Sequence, residues 1–205
     1  MSSVRPMLGT FVSAAAVVAV LVSGCTSQQG SADASSPGSS SAPAAPETAR
    51  DGRTVLPTSA SVACGLLDGP AIQASLGTVA ASLQPAQPDA ERTTDGVVYD
   101  SCIHAFDPGG ATTNALTVQI ITYPSEQEVS RANPYALLDA PEDVPGLQHP
   151  AKYSMMALSD STEFVLVSVD GARVTRLIVA LPHASAWDHA AGKDSMLKLA
   201  RAANL

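Results

Sequence analysis

Cysteine is scarce in this 205-residue chain, with three in all, and aromatic residues make up only 4 %, including a single tryptophan. No two cysteines stand in the C-x-x-C spacing that thiol redox centres prefer. No G-x-S-x-G elbow occurs, so the strained-turn serine nucleophile has no marker here. Gly109-Gly110-Ala111-Thr112-Thr113 lacks the G-K-[ST] ending of a phosphate loop and leads into a strand pattern, so it reads as a hairpin loop. The low aromatic content argues against a sugar-stacking cleft. Positive charge is also in short supply, with 11 Lys and Arg against 19 Asp and Glu. The cations are scattered, whereas binding nucleic acid requires clustered ones to release counterions. The longest apolar run, Phe11 to Val22, falls short of the roughly 20 residues that cross a hydrocarbon layer.

What the N-terminus does contain is a charged start at Arg5, that apolar run, and Val22-Ser23-Gly24-Cys25 directly behind it. Together these read as a bacterial lipoprotein signal over residues 1–24. Small residues at the cut admit the backbone to a peptidase, and the expected maturation puts a diacylglycerol thioether on the Cys25 sulfur and cleaves after Gly24. The chain would then be anchored at the extracytoplasmic face of the cell membrane. An ordinary secretory signal with an incidental cysteine is the rival reading, weakened by the lack of an A-x-A-like site downstream. Each buried methylene contributes about 0.8 kcal/mol, so two or three acyl chains hold without a polybasic patch. Loss of the signal leaves ten basic against nineteen acidic side chains, a formal net of −9. Such a body stands off anionic headgroups.

Residues 25–58 combine the lipidated cysteine with a tract of Ser, Ala, Gly, Pro and Gln that has too little apolar surface to offset its ordering entropy. The tract of roughly 30 residues after Cys25 spans about 30 Å as a random coil and about 90 Å when extended. Its serines and Thr48 beside prolines fit O-linked sugars as well as an unmodified spacer.

Residues 59–205 are the right size for one domain with one core. Asp68-Gly69-Pro70 and Gly77 bracket a short helix over Ala71–Leu76. Val97–Phe106 and Ala115–Tyr123 read as a hairpin, with Leu116, Val118, Ile120 and Thr122 facing away from Thr117, Gln119, Ile121 and Tyr123. Ser125 and Glu128 form a capping-box pattern ahead of a helix to Ala132, and Asp139–Pro150 reads as an irregular loop. Strands follow over Lys152–Leu158, Glu163–Val169 and Ala172–Leu181, with Asp170-Gly171 as a type I′ turn. Alternate apolar residues in Glu163–Val169 predict a sheet covered on both sides near its centre. An alanine-rich helix over Ala184–Asn204 closes the chain, with Gly192 expected to break it. The fold class is α+β, a mainly antiparallel sheet of about five strands with two to three helices in the order α-β-β-α-β-β-β-α.

With Cys25 assigned to lipid, Cys64 and Cys102 form an even pair in an oxidising compartment and are expected to be joined. The wide spacing, and Asp100 beside Cys102, favour a structural bridge over a catalytic one. His183 and His189 are six residues apart and fall on different sides of a helix, with His104 and His149 remote, so no metal site is expected. Asp139, Glu142 and Asp143 are interrupted by prolines and do not match a calcium loop. No catalytic residue and no cofactor site is assigned.

Cys64-Gly65-Leu66-Leu67, the segment Ile72 to Gly77 and Tyr99-Asp100-Ser101-Cys102 resemble a family of actinobacterial, mycobacterial-type lipoproteins of unknown function. Their exported domains open with Cys-x-Leu-Leu and carry a second cysteine in the first strand. The resemblance implies a bridge between Cys64 and Cys102 and an α+β fold similar to extracellular sensor or PsbP-like domains. It departs after Cys102, where that family often has tryptophan and this chain offers only Phe106. Three functions remain: a noncatalytic binding or accessory module for an envelope partner, a carrier of an apolar ligand or lipid, and an envelope hydrolase. A carrier would need a cavity of a few hundred Å³; a hydrolase would need converging polar groups that the sequence does not announce.

Overall fold

The structure, a computed structural model, describes residues 61–205. The signal, the Cys25 lipidation site and the tether of the sequence reading lie outside the described residues.

Five long strands carry the sheet: β3 (Val97–Ala105), β4 (Ala115–Thr122), β6 (Ala151–Ala157), β7 (Ser161–Asp170) and β8 (Arg173–Pro182). These are the five the alternation predicted. Three more are edge segments of two or three residues: β1 (Gln87–Pro88), β2 (Arg92–Thr94) and β5 (Glu142–Asp143). They bring the sheet to eight strands, and each is too short to show a period of two. The order is β1-β3-β4-β8-β7-β6-β5, with β2 also on the outer edge of β3, and every pairing is antiparallel. The β6-β7-β8 meander therefore docks onto the β3-β4 hairpin through β8 and β4.

Four α-helices accompany the sheet, one more than expected. α1 (Val62–Gly65) is a single turn capped by Ser61, and α2 (Gly69–Leu76) is capped by Asp68 with Pro70 in its first turn. α3 (Glu126–Ala132) starts at Ser125, whose hydroxyl accepts the Glu128 N–H. α4 (His189–Ala202) is capped by Asp188.

Two expectations need correction. Gly192 does not break the last helix; α4 runs through it. A Cβ there would lie 2.3 Å from Phe164 Cδ1 and 2.8 Å from Tyr153 Oη, so the missing side chain is what lets the helix lie close on β6 and β7. Tyr153, fully buried beneath it, donates its hydroxyl to the His189 carbonyl at 3.1 Å. Burial, with Glu142 and Asp188 nearby, pushes that phenol up to about 12. In the β7-β8 hairpin, Asp170 pairs with Arg173, so the turn residues are Gly171 and Ala172. Of these only Gly171 has positive φ (54°), which fits a type II′ turn and not the type I′ expected.

The core divides by sheet face. One face carries Cys102, Leu116, Val118, Ile120, Tyr153, Phe164, Leu166, Leu177, Val179 and Leu181, packed under α1, α2 and α4 through Ile72, Leu76, Met196 and Leu199. The opposite face holds a smaller cluster of Ile121, Val165, Val167 and Val174 under Val129 of α3, with Tyr135 and Leu138 at its edge. Coverage on both sides near the sheet centre is as the alternation in β7 predicted.

A half-open sheet face as the candidate functional site

Among the described residues, only α3 and the segment after it stand on the second face, over the end of the sheet that bears Ile121, Val167 and Val174. Strand register places the rest. Ser101, Gln119, Arg176 and Val167 lie side by side across β3, β4, β8 and β7. Next to them runs a second row, Ile103, Thr117, Ile178 and Val165, and beyond it a third, Ala105, Ala115, Ala180 and Glu163. Gln119, Arg176, Ile103, Thr117, Ile178 and Glu163 are half-buried. Ile103 belongs to neither core cluster. The result is a sheet floor of mixed, partly exposed residues with the segment after α3 at its edge.

Arg176 stands where this floor meets that segment, its Nη2 3.4 Å from the Pro134 carbonyl. Its Nε is buried and has no hydrogen-bond partner, a feature it shares with Arg173 Nε at the hairpin end. Five of the eight Lys and Arg among the described residues sit within 4 Å of a carboxylate, and Arg176 does not. Beside it Gln119 donates to Ser101 Oγ at 3.4 Å. Burial raises the Tyr123 phenol, with Tyr99 adding to the rise and Arg176 opposing it, which puts two phenols and a guanidinium in one electrostatic neighbourhood. Burial alone raises the Glu163 carboxyl.

Of the residues singled out from sequence, Cys64 and Cys102 are bonded, with Cα atoms 5.0 Å apart. The chain-entropy model gives such a loop of roughly 39 residues about 3.9 kcal/mol of stabilisation. Asp100, two residues away, accepts the Ser61 hydroxyl at 2.7 Å and the Ala63 N–H at 3.0 Å, so α1 is fastened to β3 twice. His104 is buried with Nε2 3.6 Å from Cys102 Sγ, and burial lowers its pKa. The other histidines are far apart in role: His149 faces Asp170, His189 meets Glu142 at 3.2 Å, and His183 bridges two elements. No group of three His, Cys, Asp or Glu among the described residues is arranged to hold a metal. Glu142 is taken up by Lys193 and His189, and Asp143 by Lys152. The hydrogen bond from Lys193 holds the Glu142 carboxyl below the usual range.

His183 Nδ1 lies 3.2 Å from Thr162 Oγ1, while Nε2 lies 3.1 Å from the Leu158 carbonyl. A carbonyl accepts only, so Nε2 carries a proton and donates to it, while Nδ1 and the Thr162 hydroxyl share the second hydrogen bond. The imidazole thereby ties the end of β8 to the β6-β7 turn, with a carbonyl where a catalytic base would have a carboxylate. A dish of about 410 Å³ lies near the C-terminus, lined by Leu147, Arg201 and Leu205 among others. No described helix is long and apolar enough to cross a membrane.

Arg176, Gln119, Ser101 and Glu163 were missed from sequence. The available signal was a lone charge in the otherwise apolar run Leu177 to Leu181 and its lead-in Val174-Thr175. Nothing in the sequence showed that α3 would leave part of that face open.

No family model matches the chain, and no curated protein matches it. Among solved structures it is similar to the extracellular domain of PknH from Mycobacterium tuberculosis, at 12 % identity over 73 % of this chain and 98 % of that one, with a TM-score of 0.40.

Proposed function

We propose that this chain is a noncatalytic binding module of the cell envelope, held to the membrane by lipid on Cys25 and displayed on the tether, with the half-open sheet face as its binding surface. The observation that carries this reading is Arg176. A half-buried guanidinium whose Nε lacks a partner costs stability, and it stands among partly exposed polar and apolar residues, the composition of a recognition surface. The Cys64–Cys102 bond supports an oxidising location, where such bridges persist.

The test isolates the full chain from the envelope of a lipoprotein-processing host, with a photo-crosslinking residue at Thr117 or, as control, at exposed Gln73 on α2. The expected result is an N-terminal fragment beginning at acylated Cys25 and an adduct of defined mass from position 117 only. An unacylated N-terminus would remove the anchor, and equal adducts from both positions would remove the surface.

A further inference from the structure

We infer that the half-open face takes a small amphipathic monocarboxylate, its head on the Arg176 guanidinium and its apolar part across Ile178 and Ile103. This rests on the reading of that face as a binding surface and adds the chemistry of the occupant.

The charge argument comes first. The described residues carry eight Lys and Arg against sixteen Asp and Glu, so the body as a whole repels anions. Arg176 shares with Arg173 and Arg201 the lack of a carboxylate within ion-pair distance, but of the three it alone stands on this sheet face, where its hydrogen bond is to a carbonyl at 3.4 Å. A planar carboxylate matches the two-pronged donor edge of a guanidinium and supplies the acceptor that Nε lacks. Gln119, directly opposite on β4, adds an amide at the same level.

The number of charges then sets the class. Arg173 lies at the hairpin end opposite Asp170, and Arg201 is exposed on α4. Lys152, in the same row as Arg176, is already bound to Asp143 at 2.7 Å. On this face Arg176 is the one described cation without a carboxylate partner, and one cation suits one negative charge. A phosphate monoester, at about −1.5 to −2, calls for more.

Shape supplies the tail. Strands are about 4.8 Å apart and same-face residues about 7 Å along a strand. From Arg176 to Ile103 the floor therefore runs roughly 12 Å, crossing Ile178 or Thr117. That is about the length of an eight-carbon chain. Ile103, outside both core clusters, is the apolar surface such a chain would cover.

The full chain, kept in nonionic detergent, is titrated with sodium octanoate while the ¹⁵Nε–H resonance of Arg176 is followed, assigned by its loss in Arg176→Met. The expected result is a saturable shift at Arg176 with Arg173 and Arg201 unmoved, and no binding of octyltrimethylammonium. Ile103→Asp should weaken octanoate at least tenfold, and it keeps the test open if Arg176→Met does not fold. A still Arg176 signal, or an Ile103→Asp variant that binds as well as the parent, overturns the proposal. Tighter binding of octyl phosphate overturns the choice of a monocarboxylate. Any of these outcomes combined with a mapped adduct at position 117 would leave the binding surface standing and remove only the ligand class.

Discussion

The two faces of this sheet are made by alternate residues of the same strands, yet they have opposite characters. Beneath α1, α2 and α4, Phe164, Leu166, Leu177 and Val179 are fully or almost fully buried. One residue along each strand, Glu163, Arg176 and Ile178 remain half-exposed. Stability is concentrated on the first face, while the second keeps charge and apolar surface within reach of solvent. A strand cannot be classified by its composition when its two sides answer to different demands.

Truncation across the sheet sharpens that contrast most. Phe164→Ala should cost about 3–5 kcal/mol, because a large buried ring leaves a cavity. Ile103→Ala should cost under about 1 kcal/mol. Urea unfolding of both variants in the full chain measures this, and similar losses would erase the distinction between faces.

The next effect tests how closely α4 lies on its face. Gly192→Ala should destabilise by about 1–3 kcal/mol, since the new methyl meets Phe164 and Tyr153 below contact distance. Alanine otherwise favours a helix over glycine by about 1 kcal/mol. A rise in melting temperature would therefore mean that the rings yield and the approach is loose.

The smallest effect belongs to the open face. Burial raises the Glu163 carboxyl, so in the folded state it holds its proton to higher pH than in the unfolded one. Its contribution is present below the ordinary glutamate range and is lost as pH rises through the raised value. Relative to Glu163→Gln, the parent should lose stability as pH rises from the ordinary glutamate range through the raised value, with the two within about 0.5 kcal/mol. Parallel pH profiles would show a carboxyl fully solvated, and the face more open than drawn.

Legibility followed the same division. The five long strands and the α3 capping pattern were readable because each repeats a period or places a cap at a fixed offset. β1, β2, β5 and α1 were not, since two to four residues carry no period. Gly192 misled because helix propensity is local, whereas its role is set by Phe164, 28 positions earlier in the chain. The Cys64–Cys102 bond was readable from cysteine arithmetic. The open part of the second face was not, because partial exposure of Arg176 depends on where α3 stops over the sheet, and no residue near Arg176 encodes that limit.

The double fastening of α1 to β3 bears on mechanics. Tension arriving from the N-terminal side of Ser61 reaches a covalent stop at Cys64 and passes directly to Cys102. Asp100 takes part of that load through Ser61 and Ala63, while the span from Gly65 to Tyr99, including α2, is bypassed. A pull from that side would therefore strain the hairpin of β3 and β4 before it could peel the layer of helices from the outside inward.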